Sequence, residues 1–155
     1  TQSKDYLPNL EIYLIKSLME FSFSYTHTIR VRYSETDRMG YCYYGNYAQY
    51  LEVGRVEAIR TLGFAYKELE NAGVLLPVSN LNIRYKNPAF YDDELIIHTA
   101  IDKIVGARIF FSYRIECHEK LIAEADTTLV FVDKKINKPI ACPDFFVEKL
   151  RSYEK

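Results

Sequence analysis

The chain has 155 residues, of which 48% are hydrophobic, 26% charged and 15% aromatic, with a formal net charge of −1. Such a length and mix describe one globular domain able to bury a core of its own, and the near-zero charge excludes a global basic field for nucleic acid. No apolar run reaches membrane-spanning length. The cysteines (Cys42, Cys117, Cys142) are odd in number and lack metal-ligand spacing, so no metal and a reducing, cytoplasmic location are implied.

In chain order, residues 1–24 read as an extension. Pro8 suits a first helical turn, and Leu7, Leu10, Leu14, Leu18 and Phe21 fall at helical spacing, which predicts an amphipathic packing helix. The single domain then runs over 25–155. Tyr25, His27, Ile29, Val31 and Tyr33 alternate with Thr26, Thr28, Arg30 and Arg32, the period of a half-buried strand. An acidic, glycine-punctuated loop follows, Ser34 to Gly45. Beyond it Tyr47, Leu51, Gly54, Ala58, Leu62, Ala65 and Leu69 form one stripe at spacings of four and three. That predicts a helix of about six turns, roughly 35 Å long, stopped at Asn71-Ala72-Gly73. Gly54 sits mid-stripe, where close packing is the reason to tolerate a weak helix former.

Four strands are expected next: Leu81 to Tyr85, Leu95 to Ile101, Ile109 to Ile115, and Ile122 to Val132. Breaks fall at Asn87-Pro88, Val105-Gly106 and His118-Glu119-Lys120. Short connections predict an antiparallel meander. A short terminal helix over Asp144 to Tyr153 should turn Phe146 and Leu150 inward. The fold class is therefore α+β, a five-stranded antiparallel sheet curved around one long helix, with helices at both termini.

The chemistry concentrates in the loop. Asp37 stands just before a helix N-terminus, whose free amides favour developing negative charge. The residues alone leave two readings open: a reaction centre, or a carboxylate that caps a turn. Glu35 reads as a solvated loop charge and Cys42 as packing. Ser34 and Thr36 have no neighbouring histidine to activate them. His27 reads as a core histidine, while His98 and His118 are scattered without metal spacing.

The loop Tyr33-Ser-Glu-Thr-Asp37-Arg-Met-Gly40, continued by Tyr43-Tyr44-Gly-Asn-Tyr47 and by Glu52 and Arg55 on the helix, resembles the hotdog-fold acyl-CoA thioesterases. The branch is the 4-hydroxybenzoyl-CoA thioesterase-like, YbgC-type one. The resemblance runs from about Thr26 to Pro143, including Tyr85-Lys86-Asn87-Pro88-Ala89 and Glu124-Ala125. It implies a hydrolase acting on acyl-CoA or aryl-CoA, with Asp37 as base or nucleophile and the amides of Tyr44, Gly45 and Asn46 holding the oxyanion. Gly45 would leave the approach open. Tyr43, Tyr47 and Asn46 would border the substrate, and Lys86, Lys103 and Arg108 would meet the coenzyme A phosphates. No cofactor is implied beyond coenzyme A as part of the substrate.

One departure is Tyr44, where many YbgC-type members have histidine; no role of that histidine transfers. Another hotdog branch carries its catalytic glutamate on the central helix, which makes Glu52 the competitor. An ion pair with Arg55 is the reading preferred for it. Hotdog domains pair as dimers and dimers of dimers, so a homodimer or homotetramer is implied, with the pocket at the subunit interface. Two alternatives stand beside the hydrolase: a non-catalytic acyl-CoA or aromatic-ligand binding protein, and an acyl-thioester hydratase or dehydratase. The latter wants a histidine that this loop lacks.

Overall fold

The computed structural model describes residues 18–155. The strands are β1 (Leu18–Arg30), β2 (Val74–Leu75), β3 (Val78–Tyr85), β4 (Glu94–Val105), β5 (Arg108–Cys117), β6 (Lys120–Val130), β7 (Val132–Asp133) and β8 (Lys138–Pro139). The helices are α1 (Tyr47–Thr61), α2 (Tyr66–Asn71) and α3 (Asp144–Leu150). Of the helix expected over Leu7 to Phe21, Leu18 to Phe21 belong instead to β1, and the rest lies outside the described residues. Among the described residues no helix is long and apolar enough to cross a membrane.

Alternation decides the strands. Phe21 and Phe23 of β1, Leu95, Ile97 and Ile101 of β4, and Ile109, Phe111 and Ile115 of β5 all turn inward and are buried. Successive side chains on a strand point to opposite faces, so these positions share one face of the sheet. A bulge between Ile101 and Lys103 shifts the phase of β4 by one, and Ile104 takes the next buried place. The five long strands are antiparallel in the order β1-β4-β5-β6-β3, and α1 packs across β1 and β4. This is the hotdog arrangement.

Gly54 makes that packing close. A Cβ added there would stand 2.7 Å from Thr99 Oγ1 and 2.8 Å from Ile97 Cγ2, so helix and sheet touch at backbone distance. The same crowding leaves the Thr99 hydroxyl, fully buried, with no hydrogen-bond partner among the described residues. A buried unpaired hydroxyl costs free energy that a methyl of the same shape avoids. Thr99→Val is therefore expected to raise stability by about 1 kcal/mol, read as a higher urea midpoint at unchanged slope.

Three expectations need correction. The apolar stripe from Tyr47 to Leu69 is not one helix: α1 ends after 15 residues, about 22 Å, and Leu69 belongs to the separate α2. Gly63, in the left-handed region at φ +100°, turns the chain there, although the apolar spacing happens to continue in phase. Next, β4, β5 and β6 form a meander, whose β5–β6 turn is the two residues His118 and Glu119 at positive φ, but β3 pairs with β6 rather than with β4. Residues 86–93 are long enough to carry the chain across the sheet, so no hairpin is forced. Finally, Tyr33 leaves the strand face for a one-turn 3-10 helix and is exposed.

Strand β3 is therefore an edge, and Val78, Leu81 and Tyr85 are all more than two-fifths exposed on it. Next to the Val78 end of β3, the strands β2, β7 and β8 make a small second sheet, which the sequence patterning missed because its strands are two residues each. In α3 Phe146 and Leu150 are fully buried, as expected, with the Phe146 ring 5.1 Å from Phe64 and 5.3 Å from Phe131.

Candidate active site

The loop between β1 and α1 is built on Glu35. Its backbone N–H donates to the Arg32 carbonyl at 2.9 Å, and its carboxylate accepts from the Arg32 amide at 2.7 Å and the Arg32 guanidinium at 3.2 Å. The Glu35 carbonyl accepts from the Tyr43 amide at 2.8 Å and from Asn46 Nδ2 at 2.7 Å. One residue thus holds both ends of the loop. Glu35 is 6% exposed, not the solvated charge expected of it. Burial pushes its carboxyl up, but the hydrogen bonds from Arg32 and Tyr50 outweigh that and hold it below its ordinary 4.5.

That lowering has a sign in stability. A carboxylate with a depressed folded-state pKa contributes fully above the unfolded value and loses its contribution as pH falls through the folded one. Glu35→Gln should cost about 1.5–3 kcal/mol at neutral pH, the range of charge-assisted bonds. The gap to wild type should close in acid, as urea midpoints taken down the pH scale will show.

Inside this frame the chain makes a tight turn. The Gly40 amide donates to the Asp37 carbonyl and the Asp37 amide to the Tyr41 carbonyl, both at 3.0 Å. Asp37 Oδ1 accepts the Met39 amide at 2.8 Å; Oδ2 has no hydrogen-bond partner among the described residues. The capping reading is thus true of one oxygen and leaves the other available.

Beyond Tyr43 a 3-10 turn, Tyr44–Asn46, leads into α1. The Asn46 amide is taken by the Tyr43 carbonyl at 3.0 Å, whereas those of Tyr44 and Gly45 have no partner among the described residues. Two of the three expected amides are therefore free, as the opening of a helix requires. Gly45 does not leave an open approach: a Cβ there would meet the Tyr43 ring at 2.7 Å, so the glycine seats that ring against the backbone. Asn46 Nδ2 is committed to the Glu35 carbonyl, and Asn46 does not line the adjoining cavity.

Asp37, Tyr44, Tyr47 and Lys86, of the expected residues, share a cavity of about 400 Å³. Met39, Tyr41, Cys42, Tyr85, Asn87 and Pro88 complete its walls. Tyr85 donates its hydroxyl to the Tyr44 carbonyl at 2.9 Å, and its ring stands edge-on to Tyr47, centroids 5.2 Å apart. Asn87 is fixed by donating Nδ2 to the Leu121 carbonyl at 2.7 Å. Burial pushes the Tyr47 phenol and the Cys42 thiol up, and Cys42 Sγ lies 3.2 Å from the Tyr50 hydroxyl. Both groups stay neutral at physiological pH. Among the described residues, Asp37 is the one carboxylate on these walls and Lys86 the one cation. Tyr85, Asn87 and Pro88 were missed as site residues, although the strand break at Asn87-Pro88 marked where the chain turns into the cavity.

Other residues lie elsewhere. Lys103 and Arg108 flank the β4–β5 turn, and neither joins the cavity within one chain. Lys103 Nζ sits over the Phe110 ring at 4.8 Å. The expected Glu52–Arg55 pair is not formed. Glu52 is exposed, while Arg55 is buried and donates Nε to the Tyr66 hydroxyl and Nη1 to the Tyr113 hydroxyl, each at 3.1 Å. His27 stacks on Tyr25, and His98 lies on the sheet between Thr26 and Glu116, both away from the cavity.

A family model described as the thioesterase-like superfamily matches residues 31–150. YneP of Bacillus subtilis, provisionally named an acyl-CoA thioesterase, is 40% identical over 128 residues, covering 82% of this chain and 93% of its own. The acyl-CoA thioesterase YbgC of Haemophilus influenzae is 32% identical over 127 residues, 81% of this chain and 92% of its own. Among solved structures, a DHNA-CoA thioesterase of Staphylococcus aureus is similar with a TM-score of 0.77 at 33% identity, covering 83% of this chain and 91% of that one.

Proposed function

Since the chain belongs to the thioesterase-like superfamily, we propose that it hydrolyses acyl-CoA thioesters, releasing a carboxylic acid and free coenzyme A. The observation that carries this reading is Asp37, with one carboxylate oxygen unpartnered, on the wall of an aromatic cavity that the opening turn of α1 also borders. Thioester hydrolysis needs a base or nucleophile beside the carbonyl and donors where its oxygen becomes negative. Asp37 supplies the first, either taking a proton from the attacking water or attacking to form an anhydride that water then opens. The unpartnered amides of Tyr44 and Gly45 supply the second. In either route the tetrahedral intermediate expels coenzyme A as thiolate, which then takes up a proton.

Tyr44, Tyr47 and Tyr85 give the acyl or aryl group an apolar wall, and Lys86 offers a cation to the coenzyme A phosphates. The exposed apolar edge of β3 is the natural place for a second copy to add its own edge strand. In such a homodimer, or in a homotetramer of two of them, Lys103 and Arg108 serve a neighbour's substrate rather than their own chain's. No cofactor is called for beyond the coenzyme A of the substrate. Three free cysteines suit a cytoplasmic location.

The reading is tested by free-thiol release from a panel of short, long and aromatic acyl-CoAs with purified protein. Turnover on one class establishes the hydrolase and names its preference. Binding without turnover on any of them moves the protein to a ligand carrier. A hydratase is disfavoured by the walls themselves, which hold no histidine among the described residues.

A further inference from the structure

Away from that cavity, Asp93, Cys117 and His118 offer one carboxylate oxygen, one thiol sulfur and one imidazole nitrogen, all within 4.8 Å of one another. Neighbouring strands bring them together: Asp93 ends the loop before β4, Cys117 ends β5, and His118 opens the β5–β6 turn. We propose that these three side chains bind a divalent transition-metal cation, zinc by the chemistry of the donors, with the fourth position open to water.

Zinc takes cysteine sulfur at about 2.3 Å, histidine nitrogen at about 2.0 Å and carboxylate oxygen at about 2.0 Å in a tetrahedron, which sets neighbouring donors roughly 3.3–3.6 Å apart. The donors therefore have at most about 1.5 Å to close, and His118, the exposed one of the three, is where a side chain can adjust. Mixed sulfur, nitrogen and oxygen donors select zinc and its borderline neighbours over magnesium or calcium, which want oxygen alone.

Two of the three ligands are already held. Cys117 is 5% exposed and pairs with Lys120 in the β5–β6 ladder. Asp93 Oδ2 accepts the Phe90 amide at 2.8 Å, the kind of outer hydrogen bond that orients a ligating carboxylate. The Asp93 carbonyl accepts the Val31 amide at 2.9 Å where the chain leaves β1 for the active-site loop, and Tyr41 of that loop bridges to Phe90. A bound ion would thus clamp the β5–β6 turn to the segment that backs the loop carrying Asp37.

Calorimetric titration of the full, thiol-reduced chain with Zn²⁺ tests this, with His118→Gly, Cys117→Ala and Cys142→Ala alongside. Glycine is at ease at the φ of +50° that His118 adopts, so His118→Gly removes the imidazole and keeps the turn. The expected result is one ion per chain, with affinity falling roughly tenfold or more in His118→Gly and Cys117→Ala and unchanged in Cys142→Ala. Co²⁺ used in place of Zn²⁺ should show a thiolate charge-transfer band that Cys117→Ala removes. Absence of Zn²⁺ binding in the wild type, or equal affinity in wild type and His118→Gly, overturns the site.

Discussion

Asp37→Asn is expected to lower kcat/KM for thioester hydrolysis on the order of 10³-fold or more while leaving the unfolding midpoint where it was. The two halves of that result come from the two oxygens. Oδ1 accepts the Met39 amide at 2.8 Å, and an asparagine side chain presents an amide oxygen that accepts the same bond. The turn through Gly40 therefore survives. What is lost is the negative charge and basicity at Oδ2, which no other described residue on the cavity walls replaces, Asp37 being the only carboxylate among them. Any residual turnover should also lose the acidic limb of its pH profile. If Asp37 served the turn alone, the variant would hydrolyse as fast as wild type, and rate assays beside a thermal melt separate the two roles.

Gly54→Val is expected to cost about 3 kcal/mol, lowering the thermal midpoint by about 6–12 °C. The Cβ alone would lie within 2.8 Å of atoms on both Thr99 and Ile97, and valine adds two further carbons. Neither neighbour can turn aside, since both are β-branched and sit in the centre of the sheet with β1 and β5 on either side. Relief must come from moving α1 off the sheet, which opens voids around Leu51 and Ala58. Helix propensity does not compensate, because valine is only modestly better than glycine there. Combining the change with Thr99→Ala should recover part of the loss, and a variant as stable as wild type would mean that α1 does not seat on β4 at this point.

Local patterning carried the fold as far as local patterning reaches. The inward residues of β4 and β5 were readable because period-two alternation is a property of the strand itself. The place of β3 beyond β6 was not, because strand order depends on long-range pairing and no local period encodes it. α1 was drawn too long because Leu69 kept the stripe's phase across Gly63, where backbone conformation rather than hydrophobic spacing ends the helix.

The loop around Asp37 was legible by its acidic and glycine content and by its resemblance. The burial of Glu35 was not: a carboxylate goes inside only when enough donors meet it, and those donors are backbone amides and an arginine brought in by the turn. Asn46 and Gly45 were misread for a related reason, as each serves the loop's own geometry. Asp93 and Cys117 lie far apart in the sequence, and only the sheet makes them neighbours.

The pairing of β1 with β4 also has a history in time. Register runs from Leu18 with Val105 to Arg30 with Glu94, so the first strand's partner is synthesised long after it. At roughly 5–20 residues per second on a ribosome, β1 waits several seconds with Phe21 and Phe23 uncovered. α1, which packs on β1 in the folded chain, leaves the ribosome during that wait. Conditions that slow translation between Arg30 and Glu94 should therefore lower the yield of native protein without touching the stability of what does fold.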